Sequence, residues 1–194
     1  MDALHPKAVF VREALLSALR LTYHKRIAEL VPKPLGSFVP PDPQPHFKFM
    51  QDGAENLPLY GYFQELFAAI RQKCPPQEAL EILSKVRVFD DSEPTSAKYT
   101  RAQIELFVQT LLFMGAKSFS HSYAGMAKFL PVLKELAYTE EAQISVLRAL
   151  HGLWENNQQM QSVLLNKLLR MGVVECAAVA NWIFSKEMET EFTK

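Results

Sequence analysis

Excess charge of either sign is missing from this chain. Its 21 Lys and Arg residues are balanced by 21 Asp and Glu residues, and the balance holds in both halves. A protein that grips nucleic acid by itself presents a net basic surface, because each neutralised phosphate needs a Lys or Arg. That class is disfavoured. Cysteine is nearly missing too: Cys74 and Cys176 are the only two, and each sits in an apolar pattern that reads as helix. They are expected to be reduced, buried, free thiols rather than a disulfide framework. No run of 18 apolar residues occurs, and Met1 to Pro6 lacks a basic segment followed by an apolar one. No membrane span, signal peptide or membrane partner is expected, which points to a soluble intracellular chain.

The 7 glycines are scattered, with no G-x-x-x-x-G-K-[ST] and no G-x-G-x-x-G to cradle a phosphate. The 5 histidines, His5, His24, His46, His121 and His151, show no H-x-x-x-H or Cys/His spacing, so no metal and no cofactor are expected. Ser120-His121-Ser122 sets hydroxyls beside an imidazole. Neighbours on a helix point in different directions, however, so local capping hydrogen bonds are preferred over a nucleophile. The expectation is a protein that is not an enzyme.

What the chain does have is helical periodicity, with apolar residues at i, i+3, i+4 and i+7. Stripes run through Val11, Ala14, Leu15, Ala18 and Leu19; through Tyr23, Ile27, Leu30 and Val31; and through Phe63, Leu66, Phe67, Ile70 and Cys74. A shorter one holds Ala79, Ile82, Leu83 and Val86, and Ile104, Phe107, Val108, Leu111 and Leu112 fit without a miss. Others pass through Met126 to Leu133, Ile144 to Trp154, Met160 to Met171, and Cys176, Val179, Ala180, Ile183 and Phe184. No segment alternates like a half-buried strand, so the chain reads as all-α with about nine helices.

Stop signals agree. Thr100 and Thr139 suit N-caps, Pro76 a first helical turn, and Gly115 and Gly172 left-handed helix ends. Pro131 falls inside the pattern from 121 to 137 and should bend it. Helix pairs begin near 61, 100, 139 and 175, at intervals of about 39, 39 and 36 residues, the period of HEAT-like antiparallel pairs stacked in a right-handed solenoid.

The organisation expected is an N-terminal helix pair over 1–31, a Pro-rich extended connector over 32–58 and a helical repeat array over 59–194, all in one domain. The connector carries seven of the 12 prolines, and Phe38, Phe47 and Phe49 should hold it down. It lacks the basic flank of a P-x-x-P ligand, so a plain connector is preferred over a ligand for a proline-reading domain. Residues 89–98 read as a solvated acidic loop. Lys25, Arg26, Lys117 and Lys128 are too dispersed for an RNA track. Trp182 points away from the centre of the last stripe, which suits either a partner contact or burial against a neighbouring repeat, the latter preferred.

Three runs carry a resemblance: VFVREALLSALRLTYHKRIAELVP at 9–32, VQTLLFMGAKSFSHSYAGMAKF at 108–129, and CAAVANWIFSKEMETEFTK at 176–194. They resemble the large-subunit family of nuclear cap-binding complexes, in the second of three helical domains related to the middle domain of translation initiation factor four gamma. The resemblance implies a non-enzymatic scaffold that works in the nucleus and shuttles to the cytoplasm. It would order a small RNA-recognition-motif subunit that binds the methylated guanosine cap, with capped RNA reached indirectly through that subunit. Roles in mRNA processing, splicing, export and nonsense-mediated decay, and docking of the factors that serve them, follow from the same likeness. The family protein is several times longer, so the chain reads as a fragment, short isoform or paralogue. Candidate partner contacts are Lys117, His121, Tyr123 and Trp182. A helicase-binding scaffold of the initiation-factor type, or a generic helical interaction domain, is the alternative.

Overall fold

The computed structural model describes residues 6–19, 24–39, 44–86 and 98–192. The acidic stretch expected over 89–98 lies outside these apart from Lys98, as do Tyr23 and Pro40, Pro41 and Pro43. Two compact units are present, Met1–Gln44 and Pro45–Lys194. The boundary falls inside the Pro-rich stretch rather than at either of its ends.

The first unit holds α1 (Pro6–Leu19), α2 (His24–Leu30) and a 3-10 segment at Lys33–Phe38. Ala8 and Ile27 are its buried apolar residues. The expected α1 stripe is only partly covered: Val11 and Leu15 are half-buried and Ala14 is exposed. Two short neighbours within the unit shield one edge of α1 rather than a full face.

The second unit is a helix-pair array. One layer runs through α3 (Tyr60–Arg71), α5 (Arg101–Met114), α8 (Glu140–Leu153) and α10 (Cys176–Ile183), each packed on the next. The other holds α4 (Pro76–Lys85), α6 (Phe119–Lys128), α7 (Leu130–Leu136) and α9 (Gln158–Arg170), with α4 against α7 and α6 against α9. The pair starts at Tyr60, Arg101, Glu140 and Cys176 keep the period seen in the sequence. Every element among the described residues is helical, ten α-helices and four 3-10 segments.

The extra helix comes from Pro131. It turns the expected bend into a break, with Phe129 (φ −97°, ψ 20°) ending α6 and opening α7. In the first turn of α7 the missing amide of Pro131 needs no partner.

Thr100 caps α5 through a capping box: its Oγ1 accepts from the Gln103 amide, and Gln103 Oε1 accepts from the Thr100 amide at 2.7 Å. Thr139 caps α8 by accepting from the Ala142 amide. Pro76 sits in the first turn of α4 and Gly172 takes φ +64° after α9. Gly115 does not: its φ is −84°. Glycine is needed there for space, because a Cβ would stand 2.6 Å from the Cα of Ser122, whose hydroxyl donates to the Gly115 carbonyl at 2.9 Å.

Residues 32–58 are not extended throughout; 3-10 turns occur at Lys33–Phe38, Lys48–Met50 and Ala54–Asn56. Phe47 and Phe49 are core residues. Phe49 stacks on Phe63 at 5.0 Å, and Phe47 meets Phe63 at 5.4 Å and Phe113 at 4.6 Å. The His46 amide donates to the Leu153 carbonyl at the end of α8. Phe38 is half-buried in the first unit.

The cysteines are free, but only Cys74 is buried, and it lies beyond the end of α3 rather than in it. Burial, then the neighbouring Glu78, pushes its thiol up from the ordinary value. Cys176 opens α10 and is exposed. The stripe expected for α10 is displaced as well: Ala178 and Trp182 are buried while Ala180 and Phe184 are exposed. This helix is apolar nearly all round, so its neighbour α8 decides which face is covered, and the largest side chain takes the covered side.

Two glycine substitutions should move stability in opposite directions. Gly115→Ala forces α5 and α6 apart and is expected to lower the unfolding free energy by about 2 kcal/mol, the usual cost of overpacking. Gly125→Ala, in mid-α6, meets only the end of Leu111 at 3.4 Å and should raise it by about 0.5–1 kcal/mol through helix propensity. Urea denaturation of both variants checks the pair.

Candidate partner-binding surface

Three of the four candidate contacts lie together at the turn from α5 into α6. Lys117 is exposed in that turn and His121 is exposed in the first turn of α6. Ser118, the α6 N-cap, accepts from the His121 amide at 3.3 Å, and its hydroxyl is 2.7 Å from His121 Nδ1. The hydroxyl beside the imidazole is therefore Ser118, engaged in capping, while Ser122 is buried. Tyr123 is half-buried, with the Lys167 ammonium of α9 4.8 Å from its ring centroid. Trp182 stands apart on α10, 7% exposed, edge-on to His151 at 5.6 Å. Its isolation from the expected stripe reflects burial against α8.

Two of the dispersed basic residues are engaged locally. Arg26 pairs with Glu29 at 3.8 Å, and Lys128 donates to the Lys73 carbonyl at 2.5 Å. Among the described residues no group of three or more His, Cys, Asp or Glu is placed to hold a metal ion. No described helix is long and apolar enough to cross a membrane.

Sequence reasoning passed over a groove of about 270 Å³ between α5 and α8. Arg101, Glu105 and Gln109 line it from α5, and Ser145, Arg148 and Gly152 from α8, with Glu187 at its edge. The signal was present as polar residues spaced by four along a mostly apolar helix, facing a second polar series across the layer. Gln109 and Ser145 are buried; Gln109 donates to the Ala149 carbonyl at 3.3 Å and Ser145 to the Glu141 carbonyl at 3.0 Å. Lys48 meets Glu105 at 2.6 Å. Arg148 Nε lies 2.9 and 2.7 Å from the two oxygens of Glu187. The groove thus has polar walls, and Glu105 and Arg148 are each met by a partner of opposite sign.

A family model described as MIF4G-like matches residues 47–194. The chain belongs to the MIF4G-like family. The match starts at Phe47, the ring that anchors the array, and takes in α3 to α10. Over 193 residues the chain is 45% identical to nuclear cap-binding protein subunit 1 of Anopheles gambiae and equally to that of Aedes aegypti. It is 39% identical over 191 residues to the Xenopus tropicalis protein of the same name. These alignments cover 97–98% of this chain and 24% of each relative, so the chain spans about a quarter of their length.

In this MIF4G-like array the start of α5 is tied to α7 through Glu135. Its Oε1 accepts from the Tyr99 hydroxyl and from the Lys98 ammonium, both at 2.8 Å. Burial, and then donation to Glu135, pushes the Tyr99 phenol from 10.0 up to about 12. The hydrogen bonds from Lys98 and Tyr99 hold Glu135 below the ordinary carboxylate value. The signs differ accordingly. The stabilisation from Glu135 is present above the ordinary carboxylate range and is lost as pH falls through its lowered value. That from Tyr99 is complete below pH 10 and is lost as pH rises through 12. In a phenolate absorbance titration, one of the 6 tyrosines should ionise near pH 12 while circular dichroism reports the fold. Glu135→Gln should move that transition down but leave it above 10, because desolvation is the larger cause.

Proposed function

We propose that this chain is a non-enzymatic scaffold segment of a nuclear cap-binding complex. The observation that carries the reading is likeness along nearly the whole chain to proteins named nuclear cap-binding protein subunit 1. A rigid stack of helix pairs, with no net charge to bind RNA by itself, suits a part that positions another protein. In this reading the scaffold orders a small RNA-recognition-motif subunit, and that subunit holds the methylated guanosine cap. Ordering a flexible binder before its ligand arrives raises affinity by removing an entropic cost from the binding step. Work in the nucleus, with shuttling to the cytoplasm, and roles in mRNA processing, splicing, export and nonsense-mediated decay belong to the same proposal. Lys117, His121 and Tyr123 are the proposed surface contacts. Trp182, being buried, would act by setting the position of α10.

A second reading is favoured by membership of the MIF4G-like family alone: a helical scaffold of the initiation-factor type that binds an RNA helicase. Partner tests separate the two, because the fold is common to both.

Calorimetric titration of the chain with the small cap-binding subunit, with and without a methylated cap analogue, tests the first reading. Binding that tightens cap affinity roughly tenfold is expected, on the scale of ordinary coupling between sites, and Lys117→Glu with Tyr123→Ala should weaken it. A folded chain that ignores the small subunit at micromolar concentration and binds a helicase would overturn the reading in favour of the second.

A further inference from the structure

The groove between α5 and α8 is closed at one edge by the chain's own C-terminal segment. Lys186–Phe192 forms a 3-10 helix, and within it Glu187 lays both carboxylate oxygens on Arg148 Nε. Three features make this segment a weakly held strap. Seven residues of 3-10 helix is long for a conformation whose hydrogen bonds are poorly aligned. Trp182 Nε1 and Ser185 Oγ, in the residues leading into it, are buried without hydrogen-bond partners, which disfavours the seated arrangement. The Arg148–Glu187 pair is itself partly solvated, with side chains 31% and 41% exposed, so it holds the strap lightly.

Charge says what the seat accepts. Arg148 already takes a carboxylate in two-oxygen fashion, and polar side chains from both helices line the wall beside it. The strap sequence, Lys-Glu-Met-Glu-Thr-Glu-Phe, carries glutamates at 187, 189 and 191 against a single Lys186. We propose that the groove is a docking site for an acidic, glutamate-rich segment of a partner protein, which enters by displacing Glu187 from Arg148. The strap is then an internal competitor, and the partner's apparent affinity is lowered by the fraction of time Glu187 holds the seat. This inference stands apart from the identity of the complex proposed above.

The test uses a fluorescein-labelled peptide with the sequence of residues 184–192, read by anisotropy against the whole chain. Glu187→Gln in the chain should tighten peptide binding by at least about fivefold, because the competitor is gone. A peptide with its three glutamates changed to glutamine should not bind, and added salt should weaken the acidic one. Arg148→Gln in the Glu187→Gln background should return binding to the level of the neutral peptide. Gly152→Glu provides a variant that leaves Arg148 in place: it puts a carboxylate in the groove and should block the peptide while thermal melting shows the chain folded. Equal binding to all variants, or none to the Glu187→Gln chain, would overturn the proposal. Light scattering that showed the wild-type chain pairing with a second copy through Arg148 would overturn it in favour of self-association.

Discussion

The array depends on the near-complete enclosure of α5. Gln103, Ile104 and every residue from Leu106 to Leu112 are buried. The helix lies between α3 and α8 in its own layer and against α6 of the other. Each large apolar side chain so covered contributes on the order of 1.5–3 kcal/mol. Enclosure also sets a demand, because polar groups in such a helix must find partners inside the protein. Gln103 meets it by donating to the Leu83 and Val86 carbonyls at 2.9 and 3.0 Å, satisfying the end of α4. Thr110 donates to the Leu106 carbonyl one turn back, and Gln109 reaches across to α8. One glutamine thus joins α5 to the preceding pair and another to the following pair, so the polar residues of the central helix set the order of the stack.

The same geometry yields the groove. Where α5 and α8 turn apolar faces to each other they close tightly; where Arg101, Glu105 and Gln109 meet Ser145, Arg148 and Gly152, the seam stays open. A glycine and a serine on α8 leave room, and Glu105 and Arg148 pair with Lys48 and Glu187 from segments flanking the two helices. The groove is then a by-product of how the helices of one layer are spaced.

The region before the array shows how few residues are needed to start it. Phe47 and Phe49 insert beside Phe63 and Phe113, the His46 amide takes the Leu153 carbonyl, and Lys48 pairs with Glu105. Four consecutive residues thereby tie α3, α5 and α8 together from outside the helices. The family match begins at the same place, at the first residue whose side chain belongs to this core.

Helix identity, the pair period and the caps at Thr100 and Thr139 were legible in the sequence, because each follows from local chemistry repeated every turn or from a side chain bonding three residues on. The resemblance in three runs anticipated the family. Three of the differences share one cause: Cys176 is exposed rather than buried, Gly115 is not left-handed, and α10 covers its Ala178 and Trp182 side rather than its Cys176 to Phe184 face. In each case the deciding contact comes from another helix, Ser122 of α6 for Gly115 and α8 for α10. The groove escaped for the same reason, since its two walls are 36 or more residues apart and only the fold sets them opposite each other. Local pattern determined which segments are helices and where they start; only tertiary packing decided which faces touch, because that depends on what each helix finds opposite it.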